Sequence, residues 1–234
     1  MRIAPRADRL EADLTARARI RDAAIECFAT EGFEASFRTI AAAAGVSPGL
    51  ITHHFGPKTA LRAECDAEVL RRYHDLKSEA VADPNAYLVA RLAVPGPAAV
   101  VVVYMLRAIH AGGEPARRFL DSLVDHVREV MAESAAAGLI RPSRNEEARL
   151  RYLTYQTMGA MLVRFLVEPP ATPDDFVASM ARRGADEILP ILEVFTEGVF
   201  ADRRMLDDYL LYVGDPPGTA APTSAEPTEA GRTD

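Results

Sequence analysis

The chain has 234 residues, of which 49% are hydrophobic, so it can bury a sizeable core as one large domain or two small ones. Two cysteines exclude a disulfide scaffold and match no zinc pattern, so we expect buried free thiols. The net charge of −7 argues against strong non-specific binding to nucleic acid. The charge is uneven, however, because residues 1–62 hold 9 basic against 7 acidic residues and the remainder holds 18 against 27.

The first third of the chain is predicted to be an arm followed by four helices. Residues 1–13 are expected to form a loosely ordered arm, without the apolar segment of a signal peptide. An apolar stripe at helical spacing predicts the first helix, over about 15–30. The next three helices are predicted over 37–44, with Ser36 as N-cap, over 48–54, and over 58–82.

The rest of the chain is predicted to be a helical bundle interrupted by proline and glycine. A buried central helix is expected over 98–111, because its apolar pattern is longer than most strands. An amphipathic helix is expected over 114–137, and a last short helix over about 202–213. Two long helices are predicted between them, one from a capping box of Ser143 and Glu146 to Val167, the other from a Thr172 cap to about Phe200. Residues 214–234 have the composition of a disordered tail. No apolar run approaches the roughly 18 residues of a membrane span, so we expect a soluble, cytoplasmic protein.

The segment 39–55 is the most informative part of the chain. Gly45 supplies the left-handed conformation that ends one helix, Ser47 is an N-cap, and Pro48 occupies a first helical position. Two helices joined by a turn of this length form a helix-turn-helix, whose second helix enters the major groove of DNA. The small positive charge of residues 1–62 coincides with this unit.

An ordered set of residues in the first 62 positions resembles the TetR family of bacterial transcriptional regulators. The set comprises an amphipathic first helix, Gly32-Phe33, Thr39-Ile40-Ala41, Ala44-Gly45-Val46-Ser47, Gly49, Phe55, and Lys58 with Leu61. The family usually has Tyr-x-Tyr-Phe where this chain has Thr52-His53-His54-Phe55. The resemblance implies a homodimer, with DNA-binding domains at the N-terminus and helical effector domains that pair through their last two long helices, here about 143–167 and 173–200. It also implies that an effector moves the fourth helix and separates the reading heads from the operator.

The exposed face of the third helix is the expected DNA-reading surface. Pro48, Gly49, Thr52 and His53 would approach base edges, since threonine and histidine can hydrogen-bond to bases and a glycine lets the backbone come close. His54 and Lys58 are expected at phosphates, and Arg38 and Thr39 at phosphates or the groove edge. With two flanking positions, the predicted DNA-binding set is Arg38, Thr39, Ser47, Pro48, Gly49, Leu50, Thr52, His53, His54 and Lys58.

A largely apolar effector is expected between the central helices. Polar groups set among apolar neighbours are the pattern that pockets use to orient a ligand. The predicted lining residues are Tyr104, Arg107, His110, Phe119, Leu123, His126, Tyr155, Gln156, Met158, Met161 and Phe165. Ordinary core packing is the alternative interpretation of each of these positions.

We therefore predict an all-α chain with a DNA-binding domain over 14–62 and an effector-binding and dimerisation domain over 63–213, acting as a repressor that a small molecule releases from a pseudo-palindromic operator. No cofactor is predicted, and adjacent histidines on a helix diverge by about 100°, which disfavours a metal site at His53 and His54. An enzyme is disfavoured because the common nucleophile, phosphate-loop, dinucleotide and zinc-protease motifs are absent from the sequence. A helical interaction or ligand-binding protein that has altered or lost DNA binding stays open as the second hypothesis.

Overall fold

The computed structural model describes residues 6–82 and 98–214, and every regular element in these ranges is an α-helix. The predicted all-α fold is therefore confirmed. The predicted tail lies outside the described residues, except Gly214. The helices are α1 (Arg6–Glu31), α2 (Phe37–Ala44), α3 (Pro48–Phe55), α4 (Lys58–Ala82), α5 (Ala98–His110), α6 (Gly113–Ala136), α7 (Glu146–Val167), α8 (Pro173–Thr196) and α9 (Arg204–Gly214).

Helices α1 to α3 enclose a small apolar core. Ile20 and Phe28 on α1, Ile40 on α2 and Ile51 on α3 are completely buried, and Phe55 is nearly so. Helix α1 packs against α2, α4 and α5, so its inner face holds the N-terminal helices against the rest of the chain. Truncating a buried phenylalanine such as Phe28 in a core of this kind typically costs about 3–5 kcal/mol of stability.

Helices α4 to α7 extend the same core. Helix α4 packs against α5 and α6, and α7 packs against α5 and α6. Helix α5 is the central helix expected from the sequence: Tyr104, Leu106 and Ala108 are completely buried. Cys27 and Cys65 are buried free thiols, as predicted.

Several helix boundaries differ from the sequence predictions: α9 begins at Arg204 rather than at about residue 202, and α1, α7 and α8 differ as follows. The expected arm is wrong for residues 6–13, because α1 begins at Arg6; most of this stretch is Ala, Leu, Arg and Glu, which favour a helix, and it contains no Gly or Pro. Ser143 is not the N-cap of α7: Asn145 fills that role, accepting a hydrogen bond from the Ala148 N–H at 3.0 Å, while Glu146 still accepts one from the Ser143 N–H. Helix α8 ends at Thr196 rather than Phe200.

The chain divides into two compact units, Met1–Ala185 and Asp186–Asp234. In the second unit, the end of α8, the segment that follows it and α9 expose large apolar side chains, among them Phe195, Phe200 and Tyr209. The predicted boundary between residues 62 and 63 falls inside α4 and stays a prediction. None of the described helices is long and apolar enough to cross a membrane.

Candidate nucleic-acid interface

The turn between α2 and α3 has the predicted cap chemistry. Gly45 is left-handed, with φ 65° and ψ 39°, and its N–H donates to the carbonyl of Ala42 at 3.3 Å. The Val46 N–H donates to the carbonyl of Ala41 at 2.9 Å, which completes a Schellman motif. Ser47 caps α3 by accepting a hydrogen bond from the Leu50 N–H at 3.3 Å. Local hydrogen bonds thus fix the angle at which α3 leaves α2.

Helix α3 separates a packing face from an outward face. Ile51 and Phe55 point into the core, while Ser47, Pro48, Gly49, Thr52 and His53 are exposed. Leu50 and His54 are half-buried at the edge of the outward face. The outward face carries no acidic side chain, so a DNA phosphate approaching it meets hydroxyl and imidazole groups only.

Three of the predicted phosphate contacts lie at the start of the helices on either side of α3. Arg38 is exposed and Thr39 half-buried in the first turn of α2, where the hydroxyl of Ser36 accepts a hydrogen bond from the Thr39 N–H at 3.1 Å. Lys58 is the half-buried first residue of α4. The ten predicted DNA-binding residues thus fall in α2, the turn that ends at Ser47, α3 and the start of α4, and their DNA contacts stay a prediction.

Arg17 on α1 anchors the end of α3. Its guanidinium donates to the carbonyl of His54 and forms an ion pair with Glu64 on α4. It also lies 4.4 Å from the centre of the Phe55 ring. One side chain therefore links α1, α3 and α4, and no local sequence pattern reveals a contact between positions 37 and 47 residues apart.

A second ionic cluster joins α1 to α4, about one turn further along each helix than the Arg17–Glu64 pair. Glu68 is buried and accepts hydrogen bonds from Arg71 and Arg72, with Arg21 at 3.5 Å. The hydrogen bond from Arg71, aided by that from Arg72, lowers the pKa of Glu68 to about 2, although burial acts in the opposite direction. Arg72 also reaches Asp22 on α1 at 2.5 Å. The cluster fixes the direction in which α4 leaves the N-terminal helices.

The predicted effector residues fall into three groups. Tyr104, Phe119, Leu123 and Met158 lie in one buried cluster, with Met161 against it, and Phe165 lies in a neighbouring cluster. His110, Tyr155 and Gln156 are exposed, and His126 is half-buried with its Nδ1 2.9 Å from the carbonyl of Ser122. Arg107 reaches the end of α1. The pocket assignment stays a prediction for all of them.

No group of three or more His, Cys, Asp and Glu side chains in the described ranges could hold a metal ion. His53 and His54 contact each other edge to face, with ring centres 5.5 Å apart.

Comparison with known proteins agrees with this geometry. Residues 20–65 match the family described as bacterial regulatory proteins, tetR family, and residues 97–201 match the tetracyclin repressor-like C-terminal domain. The chain is 40% identical over 201 residues to the HTH-type transcriptional regulatory protein RaaS of Mycobacterium tuberculosis, covering 85% of this chain and 93% of RaaS.

Two solved structures share the fold. A putative TetR-family regulator from Rhodococcus sp. has a TM-score of 0.52 at 20% identity, covering 74% of this chain and 97% of its own. The regulator FadR of Bacillus subtilis, solved in complex with stearoyl-CoA, has a TM-score of 0.51 at 17% identity, covering 78% and 99%. With both parts of the chain matched and a close relative over most of its length, this chain belongs to the TetR family of bacterial transcriptional regulators.

Proposed function

We propose that this regulator binds a pseudo-palindromic operator as a homodimer, represses transcription there, and is released by a small, largely apolar molecule. It acts in the bacterial cytoplasm, as a regulator and not as an enzyme. The observation that carries the proposal is the outward face of α3: an exposed set of small and hydrogen-bonding residues on a helix anchored at both ends. This is the arrangement that a recognition helix needs in a major groove.

Thr52 and His53 are the proposed base-reading side chains. Both are exposed, and the Thr52 hydroxyl makes only a long hydrogen bond, 3.4 Å, to the carbonyl of Pro48. A hydroxyl held this loosely can exchange its partner for a base edge, and its methyl group can contact a thymine methyl. A neutral imidazole can donate to or accept from a base.

Footprinting on DNA from upstream of the gene tests this assignment. Two recognition helices in a dimer should protect half-sites centred about 10–10.5 base pairs apart, or a multiple of that. His53→Ala should lose specific protection, whereas His110→Ala, a matched exposed histidine on α5, should retain it. If both variants give the parent footprint, His53 does not read bases.

The homodimer is supported by an apolar stripe on α7. Tyr152, Tyr155, Val163 and Leu166 follow one another at spacings that place them on one face of the helix, and each is 47–65% exposed. Gly159 lies on the same stripe, and a Cβ built there would meet nothing within 4 Å. An exposed apolar stripe with a glycine at its centre suits close packing against a second copy of the same helix.

Light scattering of the purified chain tests the dimer. Val163→Arg places a charge in the stripe and should shift the chain toward monomer. Thr157→Arg introduces the same charge at an exposed position about 120° round the helix and should leave the dimer intact. If both substitutions shift the chain toward monomer equally, or if neither does, α7 is not part of the dimer interface.

The effector site is proposed among α5, α6 and α7. Support comes from the apolar character of the shared cluster around Tyr104, Phe119, Leu123 and Met158. A ligand that inserts there would bind best to an expanded arrangement of these helices, and a few kcal/mol of differential affinity is enough to release DNA. Stearoyl-CoA, which the fold neighbour FadR binds, is a sensible first compound.

Release of labelled operator on titration with stearoyl-CoA and other acyl compounds tests the effector proposal. A compound that releases DNA should act less well on a His126→Ala, Gln156→Ala variant if these side chains orient it. An unchanged response in that variant would remove both residues from the site. Binding of the parent chain that non-specific competitor DNA abolishes would instead favour an interaction protein that has lost operator recognition.

A further inference from the structure

Arg107 on α5 connects the two halves of the regulator. Its Nε donates to the carbonyl of Ala29 at 2.6 Å, and its Nη2 donates to the carbonyl of Thr30 at 2.7 Å. Both carbonyls lie in the last turn of α1, whose free carbonyl groups carry the negative end of the helix dipole. A helix of the effector half thus provides the C-terminal cap of a helix in the DNA-binding half.

The loop after α1 leaves room for this side chain. Gly32 has φ +87°, and a Cβ built on it would lie 3.4 Å from Arg107 Nη1. Burial lowers the pKa of Arg107, yet an arginine stays charged at any physiological pH. The guanidinium is therefore a permanent and geometrically defined cap.

The same guanidinium faces the proposed effector site on its other side. It lies 5.5 Å from the centre of the Phe165 ring on α7. Phe165 in turn contacts Phe176 on α8 edge to face, with ring centres 5.8 Å apart. Displacement of α5 must therefore move the end of α1 or break the two hydrogen bonds, and a ligand that moves Phe165 changes the surroundings of the same guanidinium.

A second tie starts one turn earlier on α5. The Tyr104 hydroxyl donates to Asp66 Oδ1 on α4 at 2.6 Å, and the Tyr104 ring lies edge to face with Phe33 at 5.3 Å. Tyr104 and Arg107 are three residues apart and lie on adjacent parts of one helix face. Helix α5 is thus hydrogen-bonded to α4 through Tyr104 and to α1 through Arg107.

We infer that Arg107 is a positioning residue that holds the reading head in a defined orientation to the effector helices, so that movement of α5 is transmitted to α3 through α1. The inference rests on the proposed function only in its consequence, the release of DNA. The orientation itself is a property of the free chain. Lysine cannot replace this arginine fully, because its ammonium lacks the planar fork that reaches two carbonyls at once.

Electron–electron resonance distances between nitroxide labels at Thr52→Cys and Ala132→Cys test the inference. Both positions are exposed, one on α3 and one on α6, and Cys27 and Cys65 are buried. Labelled chain is diluted with unlabelled chain, so that only distances within one protomer are recorded. We expect a narrow distribution in the parent, at least a twofold broader one in Arg107→Met, and an intermediate one in Arg107→Lys.

Arg117→Met is the matched control, because Arg117 is an exposed arginine on α6 and should leave the distribution unchanged. A width in Arg107→Met equal to that of the parent, or equal broadening by Arg117→Met, would overturn the inference. If Arg107→Met does not fold, Arg107→Lys compared with Arg117→Lys decides the question in the same way. A purely structural role would lower the melting temperature without changing the width, and would also overturn the inference.

The measurement needs neither DNA nor effector, so it is independent of the proposed function. Failure of the proposed function would appear as a parent chain that binds no operator or is released by no compound. Failure of the inference would appear as an unchanged distance distribution.

Discussion

Replacing Gly49 with alanine should separate stability from DNA binding. Gly49 is the second residue of α3 and is exposed, and a Cβ there would meet only the hydroxyl of Ser47, at 4.0 Å. Alanine is therefore accommodated without strain. Since glycine costs about 0.5–1 kcal/mol relative to alanine within a helix, Gly49→Ala should stabilise the chain by up to that amount.

The same methyl group projects toward the proposed DNA surface. If the backbone of α3 must come close to the groove, the added carbon displaces a base contact, and such contacts are worth about 1–3 kcal/mol each. We expect at least about a tenfold loss of operator affinity, or roughly 1.4 kcal/mol. Urea unfolding and fluorescence anisotropy measure the two quantities on one preparation.

Gly45→Ala serves as the contrasting variant. Gly45 has φ +65°, so alanine there is strained and should cost about 1–2 kcal/mol of stability. A Gly49→Ala chain that binds operator as tightly as the parent would refute the close approach of α3. A Gly49→Ala chain that is less stable than the parent would show that the surroundings of Gly49 do not accommodate a methyl group.

The remaining predictions concern stability. Arg17→Met should lower the free energy of unfolding by about 1–2 kcal/mol in urea titrations, because Arg17 joins three helices and its pair with Glu64 is partly exposed. The control Arg19→Met, at an exposed position on the same helix, should change that free energy by close to zero. Glu68 keeps its charge in the folded chain down to a pKa of about 2, below the 4.5 of an unfolded chain, so its contribution of up to roughly 3 kcal/mol is complete above about pH 5 and is lost as the pH falls toward 2. Glu68→Gln should flatten that part of the stability–pH curve, and an unchanged slope would contradict the assignment. Tyr104→Phe should cost about 1–3 kcal/mol at pH 7 by thermal unfolding, since burial raises the pKa of Asp66 and the variant removes its hydrogen-bond donor; no loss would show that water replaces the hydroxyl.

The helix-turn-helix could be predicted from sequence because its determinants are local. Ser36, Gly45, Ser47 and Pro48 each act on backbone groups within a few residues, and the structure confirms all four caps and turns. The start of α7 shows the limit of such rules. Ser143 and Asn145 are both good N-caps, and only the folded backbone shows that Asn145 is used.

Contacts between distant parts of the chain had no comparable signal. Arg17 lies outside the apolar stripe of its own helix, and nothing in that pattern indicates that it binds the carbonyl of His54. Arg107 lies 78 residues from Ala29, and nothing in the residues around either position indicates the contact. A long side chain can bind any of several partners with similar energy, and the packing of whole helices determines which of these partners lies within its reach.

Operator recognition by α3 can be measured by fluorescence anisotropy of the purified chain on DNA from upstream of its own gene. We expect tight binding that resists non-specific competitor and weakens steeply between two salt concentrations, as neutralised phosphates release counterions. The paired substitutions Thr52→Ala and His53→Ala should abolish the resistance to competitor and leave the salt dependence. Binding by that variant as specific as by the parent would contradict the assignment of α3 as the reading helix, and absence of binding by the parent at either salt concentration would contradict operator recognition at this region.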